Sequence, residues 1–343
     1  MKRYGNLYDK IISFDNLWEA DEKARHRKAS NYGVRLHDQN REANLRQLHE
    51  DLKNGTYRTS EYSRFTIYEP KERTISRLPY FPDRIVHHAI MNVCEPIWLS
   101  VFTADTYSCI KGRGIQAAAN HVRRVIDKDR ENCAYCLKID IRKYYPSIDH
   151  DVLKAIIRRK IKDTRLLKLL DEIIDSAEGL PIGNYLSQYW ANLYLSPLLH
   201  WLKETKRVKH VIDYADDIVI FHKSKAYLHT LLADIEEFAA EKLHLAIKEN
   251  KQIFPVAKDR KDKHGRGVDF LGFVFYLNET RLRKRVKQNF CRKIYHLRKR
   301  KRPLKPKAFK QAIAAWWGWC KHSDSAYFIN KLNKNIKPYE ISF

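Results

Sequence analysis

Two rhythms of apolar residues alternate along the chain. Near the start, Leu17, Trp18 and Ala20, then Leu45, Leu48 and Leu52, are spaced for helices. Phe65-Thr-Ile-Tyr-Glu-Pro-Lys-Glu-Arg-Thr-Ile-Ser-Arg77 alternates on both sides of a Pro-containing turn, which predicts a hairpin. The stretch from Asp83 to Met91 is helical again, and Tyr107-Ser-Cys-Ile-Lys-Gly-Arg-Gly114 is a basic, glycine-bearing loop. In Cys136-Leu-Lys-Ile-Asp-Ile-Arg142 the period is two, so Leu137, Ile139 and Ile141 face a core and Lys138, Asp140 and Arg142 share the other face. The segment from Gly179 to Leu195 opens as a loop and continues as an apolar helix. Val211-Ile212 and Ile218 to Phe221 predict two strands with Asp216 and Asp217 at their tip.

The second half repeats the alternation. Leu228, Leu231, Leu232, Ile235, Phe238 and Ala239 have helical spacing between Ala226 and Lys242, and Leu243 to Lys251 then returns toward a strand. Val268 to Phe275 is apolar with an embedded glycine, where backbone approaches a neighbour closely. Val286, Phe290, Ile294 and Leu297 mark one helix face. Ala308 to Trp319 is an aromatic-rich helix, whose Trp316, Trp317 and Trp319 either stack on bases or build a helical core.

Charge narrows the class of partner. The 343 residues carry 66 Lys+Arg against 41 Asp+Glu, a net charge of +25, which favours a polyanion. The surplus concentrates between Arg281 and Lys310, with 15 Lys or Arg and no Asp or Glu. At 44% hydrophobic the chain can bury two or three subdomain cores. No apolar run approaches the roughly 20 residues of a membrane span, and Met1-Lys-Arg-Tyr does not begin a secretory signal. Cys133-Ala-Tyr-Cys136 has no second pair at zinc spacing, so the six cysteines read as reduced, cytoplasmic thiols.

The candidate chemistry lies in the acids. Stability gives no reason for two like charges at the Asp216-Asp217 tip, whereas a divalent cation does, since carboxylates are natural Mg²⁺ ligands. A pair of catalytic metals needs carboxylates from more than one segment, and Asp140 supplies the third.

Tyr-Ala-Asp-Asp, preceded by a strand bearing Asp140 with an aromatic five residues on, resembles the palm of a reverse transcriptase. The resemblance runs from about residue 65 to 320, in the family's order of motifs. It implies an α+β right-hand polymerase: fingers, a ferredoxin-like palm of antiparallel sheet backed by helices, and a helical thumb. The expected division is an N-terminal helical region (1–60), fingers (61–130), palm (131–276, with an interleaved fingers/palm segment around 150–180) and basic thumb (277–343).

Further roles follow from the same resemblance. Asp140, Asp216 and Asp217 are the catalytic aspartates, and the two Mg²⁺ (or Mn²⁺) ions fall to them and to Ile141. Arg73 and, second, Lys71 contact the triphosphate of the incoming nucleotide, for which an Arg donor fork is suited. Tyr145 is the steric gate under the sugar. Ile182, Gly183 and Gln188 position nucleotide and template. Lys251, with Lys248 as the alternative, protonates the leaving pyrophosphate, and Phe270, Leu271 and Gly272 form the primer grip.

Most family members carry Gln-Gly and, three residues later, Ser-Pro. Here the frame reads Ile182-Gly183 and Ser187-Gln188, which resembles the reverse transcriptases of diversity-generating retroelements. Ile182 cannot donate the hydrogen bonds of a glutamine, so discrimination between right and wrong bases should weaken. That subfamily implies a bacterial or phage-encoded cytoplasmic enzyme with a template RNA, a primer, deoxynucleotides and a small basic accessory protein as partners. Roughly 20 residues follow the thumb, too few for a nuclease or integrase domain. The rival readings are a retron or group II intron reverse transcriptase, a noncatalytic RNA-binding chaperone and a nucleotide cyclase palm.

Overall fold

The structure, a computed structural model, describes residues 2–68, 72–300, 302 and 304–333. Its helices are α1 (Tyr8–Ile12), α2 (Phe14–Arg25), α3 (Tyr32–Asp38), α4 (Arg41–Asn54), α5 (Ile85–Leu99), α6 (Ile115–Lys128) and α7 (His150–Arg158). They continue with α8 (Thr164–Asp175), α9 (Tyr185–His200), α10 (Lys225–Leu243), α11 (Lys284–Arg298), α12 (Pro306–Lys321) and α13 (Ala326–Asn333). The strands are β1 (Ser63–Ile67), β2 (Arg73–Arg77), β3 (Tyr135–Asp140), β4 (His210–Tyr214), β5 (Asp217–His222), β6 (Gln252–Pro255), β7 (Val268–Phe270), β8 (Phe273–Phe275) and β9 (Thr280–Leu282).

The chain forms two compact units, each from discontinuous stretches. The first takes the residues up to Ala104, Ile141–Lys206 and Glu236–Ile247. Its helices follow their sequence patterns. Leu45, Leu48 and Leu52 are buried along α4, which ends on Gly55 in the left-handed conformation, a residue type that adopts it without Cβ strain. Asp163 caps α8 by accepting from Leu166 N–H, and Leu166, Leu169, Leu170, Ile173 and Ile174 form its buried stripe. The expected hairpin is the antiparallel pair β1–β2, with Phe65 opposite Ile75.

The second unit takes Asp105–Asp140, Arg207–Ile235 and the chain from Lys248 on. Its main sheet is antiparallel in the order β4-β5-β3-β6. From β3 to β6 the strands and helices follow the ferredoxin-like order β-α-β-β-α-β, with three helices (α7, α8 and α9) in the first connection and α10 in the second. Alternation in β3 is realised: Leu137 and Ile139 are buried, while Lys138 and Asp140 are half-exposed. A second sheet, β7-β8-β9, and helices α6, α11 and α12 share one apolar core with Val219 and Phe221 of β5. Val286, Phe290, Ile294 and Leu297 of α11 all enter that core, so its basic residues line the opposite face. Burying each such side chain contributes about 1.5–3 kcal/mol. Trp316 stacks on Phe290 and, with Trp317 and Trp319, packs against this core half-buried.

One apolar run resolves into finer elements, and one sequence expectation changes. Val268 to Phe275 turns at Leu271-Gly272, whose positive φ values (54° and 86°) fit a tight hairpin, so the apolar run is two strands. Leu243 to Lys251 is not a strand: only Ile247 makes a bridge, to Ile141, and β6 starts at Gln252. Among the described residues no helix is long and apolar enough to cross a membrane.

Candidate active site

Strand register gathers the acids in the second unit. Asp140, the last residue of β3, lies opposite Asp217, the first of β5. Tyr214 and Asp217 pair across a two-residue turn of Ala215 and Asp216, with Ala215 at φ 61°. A side chain at that angle is strained, and the surrounding strands hold it there. Asp216 lies close enough to Asp140 for the two carboxylate charges to oppose each other. Burial first, then the Asp140 charge, raises Asp216 above the usual carboxylate range. Asp217 is pushed up to about 6 by burial, opposed by Lys138 and reinforced by Asp140, and its Oδ1 is buried without a hydrogen-bond partner.

Two lysines answer this excess of negative charge. Lys248 Nζ donates to Asp140 Oδ1, and Lys248 N–H donates to the Asp140 carbonyl at 2.8 Å. Lys138, two residues before Asp140 on the same face, reaches Asp217 Oδ2 at 3.5 Å and donates to the Asp269 carbonyl at 2.6 Å. A fourth acid, Asp213, is fully buried on β4 with neither oxygen paired. Residues 105–107 enclose it: Asp213 N–H donates to the Asp105 carbonyl and Tyr107 N–H donates to the Asp213 carbonyl. Burial, then the charges of Asp216, Asp105 and Asp217, raises its carboxyl far above its ordinary value.

In the first unit a different set of residues is fixed by glycines. Ser76 N–H of β2 donates to the Ile182 carbonyl at 2.8 Å, and Leu180 N–H donates to the Tyr145 carbonyl at 2.8 Å. Gly183 (φ 126°) lies so near β2 that a Cβ would meet the Ser76 carbonyl at 2.5 Å. Gly179 (φ 58°) meets the Tyr145 and Pro146 carbonyls in the same way, at 2.6 Å. The 179–183 loop is therefore pinned at both ends, one end on Tyr145 and the other on the hairpin that carries Arg73. Only glycine tolerates both the angle and the approach.

The profile of the family described as reverse transcriptase (RNA-dependent DNA polymerase) matches residues 69–275, well over half the chain. The chain belongs to the reverse transcriptase family. It is similar to protein YkfC of Escherichia coli K12, 27% identical over 47% of this chain and 45% of that protein. It is also similar to the group II intron-encoded protein LtrA of Lactococcus lactis, 25% identical over 48% of this chain and 29% of that protein. The chain thus spans less than half the length of these curated relatives. Among solved structures, telomerase from Candida albicans in complex with the TWJ fragment of telomeric RNA aligns with a TM-score of 0.50 at 9% identity, covering 84% of this chain and 66% of that one. At that identity the likeness shows the fold, that of a right-hand polymerase.

As a reverse transcriptase, the chain distributes its candidate residues over both units. Asp140, Asp216 and Asp217 meet in the second. The same unit holds Lys251, half-buried just before β6, and Phe270, Leu271 and Gly272, which span the β7–β8 turn. A Cβ on Gly272 would lie 3.6 Å from the Trp319 ring. The first unit holds Arg73, exposed at the start of β2, half-buried Tyr145 and Ile182, Gly183, and Gln188 on an exposed position of α9. Ile141 has a buried side chain, so only its main-chain carbonyl is available as a ligand. Lys71 lies outside the described residues.

Sequence reasoning missed Lys138, Asp213 and Gly179. For Lys138 the signal was available, since β-alternation puts it on the Asp140 face. For the other two it was not, because their surroundings come from distant segments. Among the described residues no three acid, histidine or cysteine side chains form a ready-made metal cage. The donor set nevertheless suits a divalent cation: the acids offer oxygen donors, their mutual charge and burial raise Asp216 and Asp217, and Asp217 Oδ1 is buried and unpaired.

Proposed function

We propose that the chain is the RNA-directed DNA polymerase of a diversity-generating retroelement, copying a template RNA into cDNA with frequent errors. The observation that carries the polymerase reading is the meeting of Asp140, Asp216 and Asp217 at the adjoining ends of β3 and β5. Asp140 and Asp216 would hold Mg²⁺, with Asp217 and the Ile141 carbonyl assisting. Bound there, the ions would make the primer 3′-hydroxyl a better nucleophile and neutralise the leaving pyrophosphate.

The chain's own residues would do the rest. Arg73 would clamp phosphate oxygens of the deoxynucleotide, and the Tyr145 ring would exclude a 2′-hydroxyl. Lys251 would give a proton to the pyrophosphate, because Lys248 is already committed to Asp140. The Leu271-Gly272 turn would support the primer end. A template RNA, a primer and a small basic accessory protein complete the reaction in this reading.

The mutagenic subtype rests on Ile182 and on Ser187-Gln188. The Ile182 main chain is fixed by Ser76, leaving an apolar side chain where the wider family offers an amide. A group II intron-type enzyme is the second reading, favoured by the likeness to LtrA. Sequencing cDNA made by the intact chain and by Ile182→Gln separates the two. Substitutions concentrated at one template base, reduced about tenfold by Ile182→Gln, support the retroelement. Faithful cDNA from the intact chain supports the intron-type enzyme.

A further inference from the structure

Within the first unit, one histidine ties together two segments that carry candidate nucleotide contacts. His150 is the first residue of α7, which Asp149 caps by accepting from Val152 N–H. The His150 ring is half-buried, with Nε2 at 2.9 Å from the Gly179 carbonyl and Nδ1 at 3.2 Å from Asp175 Oδ1. A carbonyl and a carboxylate only accept, so the ring serves both with a proton on each nitrogen. Asp175, the last residue of α8, is held in turn by Lys154, whose Nζ donates to both carboxylate oxygens at 2.6 Å. The imidazole is thus oriented from behind by a carboxylate that a lysine fixes.

What the ring grips is the segment that supports Tyr145. Gly179 is buried and presses on the Tyr145 and Pro146 carbonyls with no room for a Cβ. One residue on, Leu180 N–H donates to the Tyr145 carbonyl at 2.8 Å. A single tight turn, Tyr145–Ser147, separates Tyr145 from the start of α7 and so from His150. The chain therefore closes on itself here through two polar ties, Leu180 to Tyr145 and His150 to Gly179.

A side chain that excludes one atom from a ligand works only if the backbone beneath it does not yield. A displacement of about 0.5 Å is enough to spoil such a site. We propose that His150 is a positioning residue for sugar selection. By clamping the Gly179 carbonyl it fixes the main chain of Tyr145, and with it the height of the ring that would exclude a 2′-hydroxyl. Asp175 and Lys154 orient the clamp. The proposal rests on Tyr145 being the gate, and it is independent of the retroelement subtype.

The test is single-nucleotide extension of a primer on an RNA template by the full chain. Its readout is the ratio of kcat/KM for a deoxynucleotide to that for the matching ribonucleotide, which a general loss of stability leaves unchanged. His150→Gln keeps an amide N–H near the Nε2 position, whereas His150→Asn places its amide near Nδ1 and loses the donor to Gly179. His150→Asn should lower the ratio roughly tenfold, and His150→Gln should hold it within about twofold. Tyr145→Ala should lower the ratio by itself, and adding His150→Asn to it should change little further, because His150 acts through that ring. An unchanged ratio in His150→Asn overturns the proposal. So do equal losses in the Asn and Gln variants, or a full effect of His150→Asn in the absence of the Tyr145 ring. If Tyr145→Ala leaves the ratio unchanged, the gate reading falls and takes the proposal with it. Should His150→Asn fail to fold, Asp175→Ala decides: Asp175 is exposed, its loss frees the His150 ring, and the ratio should fall in the same direction. An unchanged ratio there overturns the proposal as well.

Discussion

The acid corner of the second unit and the cationic cleft of the first are opposite solutions to one problem. In the corner, carboxylates crowd together and two lysines lean in against them. In the cleft lined by Arg77, Arg84, His87 and His88, with Lys28 near Arg84, no side-chain ion pair among the described residues engages Lys28, Arg77 or Arg84. Uncompensated charge of either sign costs stability, and the oxygen donors of the corner suit a divalent cation. The difference lies in how each can relieve its charge. In the corner, burial and the Asp140 charge raise Asp216 toward its neutral form. Arginines cannot be discharged in that way.

The comparison breaks most sharply in the corner. Asp216→Ala should lower cDNA synthesis by roughly 1,000-fold or more, the scale of a lost electrostatic group in an active site, and leave RNA binding within about twofold. Synthesis surviving that change, measured by extension of a labelled primer, would remove the corner from the mechanism.

Gly183→Ala comes next and concerns the 179–183 loop of the first unit. Its Cβ would press on the Ser76 carbonyl at 2.5 Å in a backbone conformation that L-residues avoid. A loop displacement on the order of 1 Å should cost about 10- to 100-fold in the rate of nucleotide addition, read in single-turnover extension. The unit's thermal transition should fall by only a few degrees.

The smallest effect is on stability. Asp213 carries a carboxyl raised well above its ordinary value, so the folded chain holds a proton there that the unfolded chain releases above about pH 4. The folded state binds more protons, hence stability falls as pH rises. Asp217, raised to about 6, acts in the same direction between about pH 4 and 6. Asp213→Asn should therefore gain on the wild type as pH goes from 4 to 7, read as a widening difference in urea titrations. A difference that does not change with pH would mean that Asp213 is ionised in the fold.

Much of this was legible in the sequence, and the rest was hidden for physical reasons. Alternation around Asp140 and the apolar runs flanking Asp216-Asp217 specified strands whose pleat could hardly put those acids elsewhere. Helical spacing likewise placed Phe290 and Ile294 in a core. The turn at Leu271-Gly272 was hidden because a buried hairpin and a buried strand have the same apolar composition. Gly179 looked like an ordinary loop glycine, since the carbonyls that demand it belong to Tyr145 and Pro146. Nothing local marks Asp213 as buried; its burial comes with residues 105–107, about a hundred positions earlier. Local pattern identifies elements, whereas long-range approach decides which glycines and which acids matter.

The most direct test of the central claim is extension of a DNA primer on a defined RNA template by the intact chain, with Mg²⁺ and four deoxynucleotides. The acid corner predicts RNA-templated cDNA that vanishes with chelator and returns when Mg²⁺ is restored. No product, even with a structured template RNA and an accessory protein supplied, together with normal RNA binding, would contradict it and leave a noncatalytic RNA-binding protein.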